Sequence, residues 1–340
     1  MSRFFSRATR AAALMLAVLM LVTALTACGA ARPVSPSKQD KTVVATCAGY
    51  DICYDEMRYV TLSFKDEFAA RYGDDIWTDA EKAAEYLPRL TEEITEALKI
   101  GPAILDMCHE FGIELNDRDI QDGVQAEMES MIDQLGGRKS YLQMIRELYM
   151  TDHFVRYTIG TDLCESQLVQ ALITAGLIIG TEADYLVYAM DDEVLCATYQ
   201  ILIQNDPGDD IEANRALAEE VLGKIRSGTK LTSLIGSIYN EDVYAPAKPY
   251  YFMRGEYDEA YEQTAFALAI GETSGIIETD DGFYIIERQE LDPAYITTNL
   301  HELYQRYQYA EVEGLLREHR ASLTVEWTDE GKDILLLDIE

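Results

Sequence analysis

Apolar residues recur every three or four positions over residues 79–175, the spacing that places them on one face of an α-helix. Gly112 and the pair Gly136-Gly137 interrupt the pattern, so it predicts several packed helices. Before this region, the β-branched run at 42–46 and a glycine turn predict a strand, a turn and then a helix. The apolar positions of the helical pattern are Leu90, Ile94, Leu98, Ile104, Leu105, Ile120, Val124, Met128 and Ile132.

The periodicity changes near Leu195, where the sequence ATYQILI alternates between apolar and polar residues and predicts a strand. Helices follow, and two further β-rich runs meet at the turn-forming residues 280–282. After Gln289 the pattern is again helical, and residues 323–327 predict a closing strand. The fold class predicted is therefore α+β, a mostly helical region combined with an α/β unit. The stripe of its main helix is Ala218, Val221, Leu222 and Ile225.

The N-terminus has the features of an export signal. Arg3, Arg7 and Arg10 precede an apolar run at 11–25, which is shorter than the roughly 20 residues that a membrane-spanning helix needs. The Leu-Thr-Ala-Cys sequence that follows resembles the cleavage site of bacterial lipoproteins, which implies lipidation of Cys28. Acyl chains there would hold the mature protein at the outer face of the cytoplasmic membrane or on the periplasmic side.

Composition narrows the choice of partners. The chain has 28 basic and 61 acidic residues, a formal net charge of −33, which excludes nucleic acid as a partner. The same charge favours a solvated surface over recognition of basic segments. Six cysteines are present without a Cys-x-x-Cys pair, so the sequence predicts no metal and no cofactor. Cys47 and Cys53 flank a turn-like stretch, and they are interpreted either as a disulfide across a hairpin or as separate core thiols.

Residues 252–288, FMRGEYDEAYEQTAFALAIGETSGIIETDDGFYIIER, resemble the second half of a parvulin-type peptidyl-prolyl isomerase domain. Upstream, VATCAGYDICYDE and FGIELNDRDIQDGV are similar to the strand-turn-helix entry and a helix start of SurA-like and PrsA-like extracytoplasmic foldases. The resemblance implies a mostly helical SurA-like chaperone domain with an inserted parvulin-like α/β domain. The implied organisation is a signal peptide at 1–27, a lipidated cysteine and flexible tether at 28–41, a helical chaperone domain at 42–194, a parvulin-like domain at 195–290, and a C-terminal helix and strand returning to the chaperone domain at 291–340.

The parvulin resemblance implies isomerisation of X-Pro bonds, which crosses a barrier of about 20 kcal/mol without making or breaking a bond. A catalyst needs apolar walls that hold the proline ring and a polar group beside the rotating amide. Tyr257 and Tyr261 take the places of pocket-lining residues, and Phe266 lies on the same helix, although aromatic residues at this spacing are equally typical of a core. Arg254 is interpreted as a substrate contact or as part of a surface turn.

Asp242 corresponds to the position where parvulins carry a cysteine or an aspartate beside the reacting amide, with a merely solvated acid as the other interpretation. The two family histidines correspond to Gln200 and Tyr284. These side chains can hydrogen-bond one another or tune the polarity around Asp242, but they do not titrate near neutral pH as histidine does. The glycine-rich loop of parvulins is replaced by residues 245–251. The implied catalytic set is Asp242, Gln200 and Tyr284.

Two functions are compatible with this altered site. The first is a lipid-anchored foldase that binds unfolded or newly translocated polypeptides and accelerates X-Pro isomerisation. The second is a non-catalytic holdase chaperone, whose parvulin-like unit only binds peptide or is structural. A solute-binding lipoprotein is disfavoured, because the sequence shows no alternation of strands and helices in two lobes.

Overall fold

Two compact units make up the described part of the chain. The central unit is Gly176–Val312, and the flanking unit comprises the described residues before and after it. The predicted boundaries at 195 and 290 both fall inside the central unit, and Cys28 lies outside the described residues. Among described residues, no helix has the length and apolar character required to cross a bilayer. The computed structural model describes residues 40–206, 208–237, 239–240, 242, 249–334 and 336–339.

The first part of the flanking unit is mostly helical. Burial confirms the helical pattern in the sequence, because every apolar position named above except Ile132 is buried. The Asp79 side chain caps one helix and Thr151 caps another by accepting first-turn amides. In chain order the elements are β1 (Val43–Cys47), β2 (Tyr50–Cys53), α1 (Tyr54–Tyr72), α2 (Ala80–Ala97), α3 (Ile100–Glu110), α4 (Arg118–Gln134), α5 (Arg138–Glu147) and α6 (Asp152–Thr174).

β1 and β2 form an antiparallel hairpin around a turn at 48–49. Cys47 lies opposite Tyr50 beside the turn, whereas Cys53 lies opposite Val43 at the far end of the hairpin. Strand residues advance about 3.3 Å each, so these cysteines lie well beyond the Cα separation of about 7 Å that a disulfide allows. All described cysteines are free, and the interpretation of Cys47 and Cys53 as a disulfide is wrong.

The central unit is built on a four-stranded antiparallel sheet with the order β4-β3-β6-β5. Alternation along β3 sends side chains to two faces: Ile201 and Ile203 pack with α8, and Leu202 packs with α9. The predicted stripe lies on α8, with Ile225 half-buried and its other members buried. The elements are α7 (Glu182–Ala189), β3 (Leu195–Gln204), α8 (Ile211–Arg226), β4 (Tyr250–Met253), α9 (Glu259–Ala267), β5 (Ile277–Thr279), β6 (Gly282–Gln289), α10 (Pro293–Thr298) and α11 (Leu300–Ala321), whose last residues follow Val312.

The flanking unit closes with β7 (Val325–Trp327) and α12 (Asp329–Lys332). β7, which lies within the predicted closing strand at 323–327, pairs with β1 on the side opposite β2. The Thr328 hydroxyl donates to the carbonyls of Val43 and Val44 at 3.1 Å. Gly331 lies so close to the Val44 carbonyl that a Cβ there has no room. Residues from the two ends of the described chain thus complete one sheet.

Candidate functional site

Five polar side chains of the central unit form one continuous run of hydrogen bonds. The Tyr261 hydroxyl donates to Gln200 Oε1 at 2.8 Å and lies 2.9 Å from Thr198 Oγ1. Gln200 Nε2 and the Tyr250 hydroxyl both donate to Asp242 Oδ2, each at 2.8 Å. Because a phenol carries one proton and Tyr261 gives it to Gln200, Thr198 is the donor to Tyr261. We call these five residues the Gln200 network.

Two neighbouring strands and one helix place these side chains. Thr198 and Gln200 lie two positions apart on β3, and therefore on one face of the sheet, with Tyr250 of β4 opposite Thr198. Tyr261 is delivered by the first turn of α9. The backbone of Asp242 is tied to the same strand through Asn240, whose Oδ1 accepts from the amides of Leu202 and Asp242 at 3.0 and 3.3 Å.

The tyrosines of this region are held in their neutral form. Burial raises the pKa of Tyr261 well above its usual range, and burial followed by the hydrogen bond to Asp242 raises the pKa of Tyr250. Burial also raises the pKa of Tyr257 and of Tyr284. The phenols therefore act as hydrogen-bond donors at neutral pH and not as bases.

The predicted pocket tyrosines stack on one another, with ring centroids 4.6 Å apart. The Tyr284 ring meets Tyr261 edge-on at 5.2 Å, and Phe252 contacts both Tyr257 and Tyr261. Tyr261 is fully buried and Tyr284 is 6% exposed, whereas Tyr257 is only half-buried. Tyr257 therefore offers surface to a ligand, and Tyr261 supports it from inside.

The half-buried ring of Phe266 lies near Tyr257. Phe266 contacts Phe252, so Tyr257 and Phe266 flank the same buried ring. The exposed Arg254 places its guanidinium carbon 3.9 Å from the centre of the Phe266 ring, within the range of a cation–π interaction. We call Tyr257, Phe266 and Arg254 the aromatic rim.

The turn between β4 and α9 carries Arg254 and Tyr257 of the rim and is fixed by two carboxylates. Buried Glu262 accepts from the amides of Gly255 and Tyr257 at 2.9 and 2.7 Å. Burial raises the pKa of Glu262, and the amide hydrogen bonds oppose that rise. Glu256 in the turn itself accepts two hydrogen bonds from Arg306 of α11, at 2.8 and 2.7 Å. Such paired Arg–carboxylate contacts are strong and directional.

The structure thus brings together most of the predicted residues. Gln200 contacts Asp242 directly, and Tyr261 reaches Asp242 through Gln200. The hydrogen bonds of Gln200 go to Asp242 and Tyr261 and not to Tyr284, so the first of the two roles considered for Gln200 and Tyr284 is wrong. Tyr284 instead contacts the Tyr261 ring.

Sequence reasoning missed four supporting residues. Thr198 lies two positions before Gln200 in the alternating strand, and that spacing placed it on the same face. No pattern in the neighbouring sequence indicated that Tyr250, Asn240 or Glu262 supports the site. Their hydrogen-bond partners are either backbone groups or side chains in other segments. The resulting arrangement offers the half-buried rings of the aromatic rim and a carboxylate that accepts from the neutral donors Gln200 and Tyr250. The rings are suited to contact an apolar ring of a ligand, and the carboxylate is suited to polarise a neighbouring amide.

Comparison with known proteins identifies the domain. Residues 200–290 match the family model of the rotamase, or PPIC-type PPIase, domain. Peptidyl-prolyl cis-trans isomerase ssp-1 of Neurospora crassa is 50% identical over 40 residues, which are 12% of this chain. The chain spans 22% of the length of that relative.

Three solved structures cover more of the chain at lower identity. PrsA of Bacillus anthracis is 15% identical, with 64% of this chain and 92% of that chain covered and a TM-score of 0.37. PrsA of Bacillus subtilis is 19% identical, with 83% and 93% covered and a TM-score of 0.28. A SurA-like chaperone of Campylobacter jejuni is 12% identical, with 84% and 99% covered and a TM-score of 0.27.

Proposed function

We propose that this chain, whose residues 200–290 form a parvulin-type PPIase domain, is an extracytoplasmic folding factor that binds unfolded polypeptides and isomerises their X-Pro bonds. The observation that carries the proposal is the position of Asp242. Hydrogen bonds from Gln200 and Tyr250 hold its carboxylate at the face of the sheet against which the stacked tyrosines also pack. In this proposal the aromatic rim contacts the prolyl ring. Tyr261 and Tyr284 support the rim from the core.

Isomerisation requires stabilisation of the twisted amide over both planar forms. Apolar contact with Tyr257 and Phe266 removes water that would otherwise hydrogen-bond the planar amide. The Asp242 carboxylate supplies a fixed charge against which the carbonyl dipole rotates, and its two donors hold it without reorganisation during the reaction. No step requires a proton to leave the Gln200 network.

The test is the rate of cis-trans exchange in a proline peptide and in a refolding protein limited by proline, with the chain at catalytic amounts. Asp242→Asn is expected to reduce the acceleration about tenfold or more, and Tyr250→Phe to reduce it less. Glu219→Gln, an exposed charge removal on α8, serves as the matched control. Full acceleration by Asp242→Asn would exclude the catalytic role of this carboxylate.

The alternative is a holdase in which the domain binds peptide without catalysis. It is favoured by the complete burial of Tyr261 and the near burial of Tyr284, because these two rings then offer almost no surface to a peptide. Suppressed aggregation of an unfolded client, with unchanged slow refolding phases, would identify this function. Loss of peptide-induced chemical-shift changes in Tyr257→Ala would then locate binding at the rim.

We further propose that Cys28 is lipidated and holds the protein at the outer face of the cytoplasmic membrane or on the periplasmic side. The sequence before Cys28 supports this proposal. Cys28→Ala is expected to move the protein from the membrane fraction to the soluble fraction. Mass spectrometry of the N-terminal peptide distinguishes an acylated cysteine from an uncleaved signal.

A further inference from the structure

A group of three potential metal ligands lies in the flanking unit, in a different unit from the Gln200 network. Cys53 ends β2 and precedes α1, Asp55 is the second residue of α1, and His153 is the second residue of α6. The thiol sulphur, a carboxylate oxygen and a ring nitrogen all lie within 4.8 Å of one another. Elements distant in sequence therefore bring one sulphur, one oxygen and one nitrogen donor to a single point.

The spacing of these atoms approaches that of a tetrahedral metal site. Bonds of about 2.0–2.3 Å at a tetrahedral ion place ligand atoms about 3.3–3.6 Å apart. His153 Nδ1 and Asp55 Oδ2 are 3.0 Å apart, so they share one proton. An ion that replaces this proton keeps both atoms as ligands, and small side-chain rotations bring the Cys53 sulphur into range.

Hydrogen bonds to the Asp55 carboxylate resemble those that orient the carboxylate ligands of metal sites. Asp55 is 1% exposed, and its carboxylate accepts from the Glu56 amide at 3.0 Å and from the Thr151 hydroxyl. Such donors fix a carboxylate in the orientation that a metal requires. Cys53 is half-buried, and the His153 side chain is 37% exposed, so an ion can enter from solvent and a water molecule can complete its coordination.

We propose that Cys53, Asp55 and His153 bind a divalent transition-metal ion of the zinc class. Sulphur and nitrogen donors disfavour Mg²⁺ and Ca²⁺, which prefer oxygen ligands. On binding, the Cys53 thiol proton goes to solvent and the ring proton of His153 moves from Nδ1 to Nε2, so the ion takes the places of both protons without redox change. The thiolate and the carboxylate then balance the charge of the ion, which offsets the burial of Asp55.

The consequence of the site is a cross-link between the start of α1 and the start of α6. Residues joined through an ion must separate when the unit unfolds, so the metal stabilises the folded state by mass action. This role is independent of the proposed isomerase function, because the ligands belong to a different unit from the rim and the network.

The test uses the purified, reduced full chain with Zn²⁺ and with Co²⁺ as a spectroscopic probe. One equivalent of Co²⁺ is expected to give a thiolate-to-cobalt charge-transfer band and the visible absorption of a tetrahedral cobalt ion. Zn²⁺ is expected to displace the Co²⁺ and to raise the Tm of the protein. Cys53→Ser is expected to abolish the charge-transfer band. His153→Ala is expected to weaken binding by about 100-fold or more, beyond the usual cost of losing a supporting group.

His109→Ala provides the matched control, since His109 pairs with the carboxylate of Glu114 in the same unit. Circular dichroism of each variant verifies that it is folded. An unchanged band in Cys53→Ser, equal weakening by His109→Ala, or no cobalt band in the parent chain would each overturn the proposal. Peptide isomerisation by the same samples is measured in parallel, so that failure of the proposed function is seen separately.

Discussion

Gln200 shows how one substitution changes the chemistry of a site while keeping its connectivity. A histidine at this position would bond its neighbours through ring nitrogens and titrate near neutral pH. Gln200 also bonds two neighbours, because its amide accepts from Tyr261 and donates to Asp242. It carries no charge at any pH in the physiological range. The network is therefore a fixed scaffold for Asp242 and not a proton relay.

Removal of the Tyr261 hydroxyl is predicted to lower stability, since Tyr261→Phe leaves the buried Gln200 oxygen and Thr198 hydroxyl without their shared partner. The expected loss is about 1–3 kcal/mol in the free energy of unfolding of the central unit. Urea denaturation measures it. Tyr199→Phe, on the opposite face of the same strand, is the control and is expected to cost less. Equal losses in both variants would contradict the importance of this bond.

Two carboxyls of α6 are predicted to make stability depend on pH. Burial raises the pKa of Asp162 to about 6, and burial followed by repulsion from Asp162 raises the pKa of Glu165 to about 7. The folded state therefore holds these protons more tightly than the unfolded state, whose pKa values lie near 4. Their contribution is most favourable below pH 4 and is lost as the pH rises towards 7.

The measurement is the free energy of unfolding in urea at several pH values from 4 to 8. Asp162→Asn is expected to gain stability relative to the parent chain as the pH rises, by an amount on the order of 1–2 kcal/mol at pH 8. Asp122→Asn, with its side chain 75% exposed, is the control and is expected to track the parent profile. A pH-independent difference for Asp162→Asn would refute the assignment.

At the scale of the element, the turn between β4 and α9 depends on one carboxylate from the helix that follows it. Glu262→Ala is predicted to release the amides of Gly255 and Tyr257. Hydrogen exchange at those two amides is expected to accelerate by about tenfold or more, and the proposed peptide binding at the rim is expected to weaken. Glu259→Ala, an exposed acid of the same helix, is the control. Unchanged exchange would show that Glu256 and Arg306 hold the turn alone.

The elements themselves were largely predictable from the sequence, because local periodicity determines them. Leu90, Ile94 and Val124 repeat at helical spacing and are buried, and ATYQILI alternates and forms β3. The hairpin register was not predictable in this way, because the turn at 48–49 sets which residues face each other, and it separates Cys47 from Cys53.

The site was predictable only in part for a related reason. The family pattern indicated Gln200 and Asp242, and these side chains meet. The pattern could not show that Tyr261 is fully buried, or that Tyr250 donates to Asp242. Both features depend on how α9 and β4 pack on β3. Single-sequence periodicity contains no information about that packing.

At the scale of the whole molecule, the two units are predicted to respond separately to a steric change in one of them. Gly331→Ala would drive a methyl group into the Val44 carbonyl, so α12 and β7 must shift from β1. The free energy of unfolding of the flanking unit is expected to fall by more than about 2 kcal/mol, and the proposed peptide isomerisation is expected to stay unchanged. Gly314→Ala, where the nearest atom is 4.0 Å from the added carbon, is the control.

Differential scanning calorimetry and isomerase assays at 25 °C measure the two effects. The Gly314→Ala change in α11 is expected to be neutral or to stabilise by about 0.5–1 kcal/mol, since alanine restricts the unfolded chain. Loss of isomerisation in Gly331→Ala at a temperature where the chain remains folded would contradict independent behaviour of the units.

The pairing of β7 with β1 also has a consequence for biosynthesis. During translation β1 emerges early, but the strand that covers its second edge is made only after the whole central unit. Throughout that interval β1 presents an uncovered row of backbone donors and acceptors, a ready template for a strand of another nascent molecule. Ribosomes that stall before residue 325 would therefore release aggregation-prone products, even when the central unit has already folded.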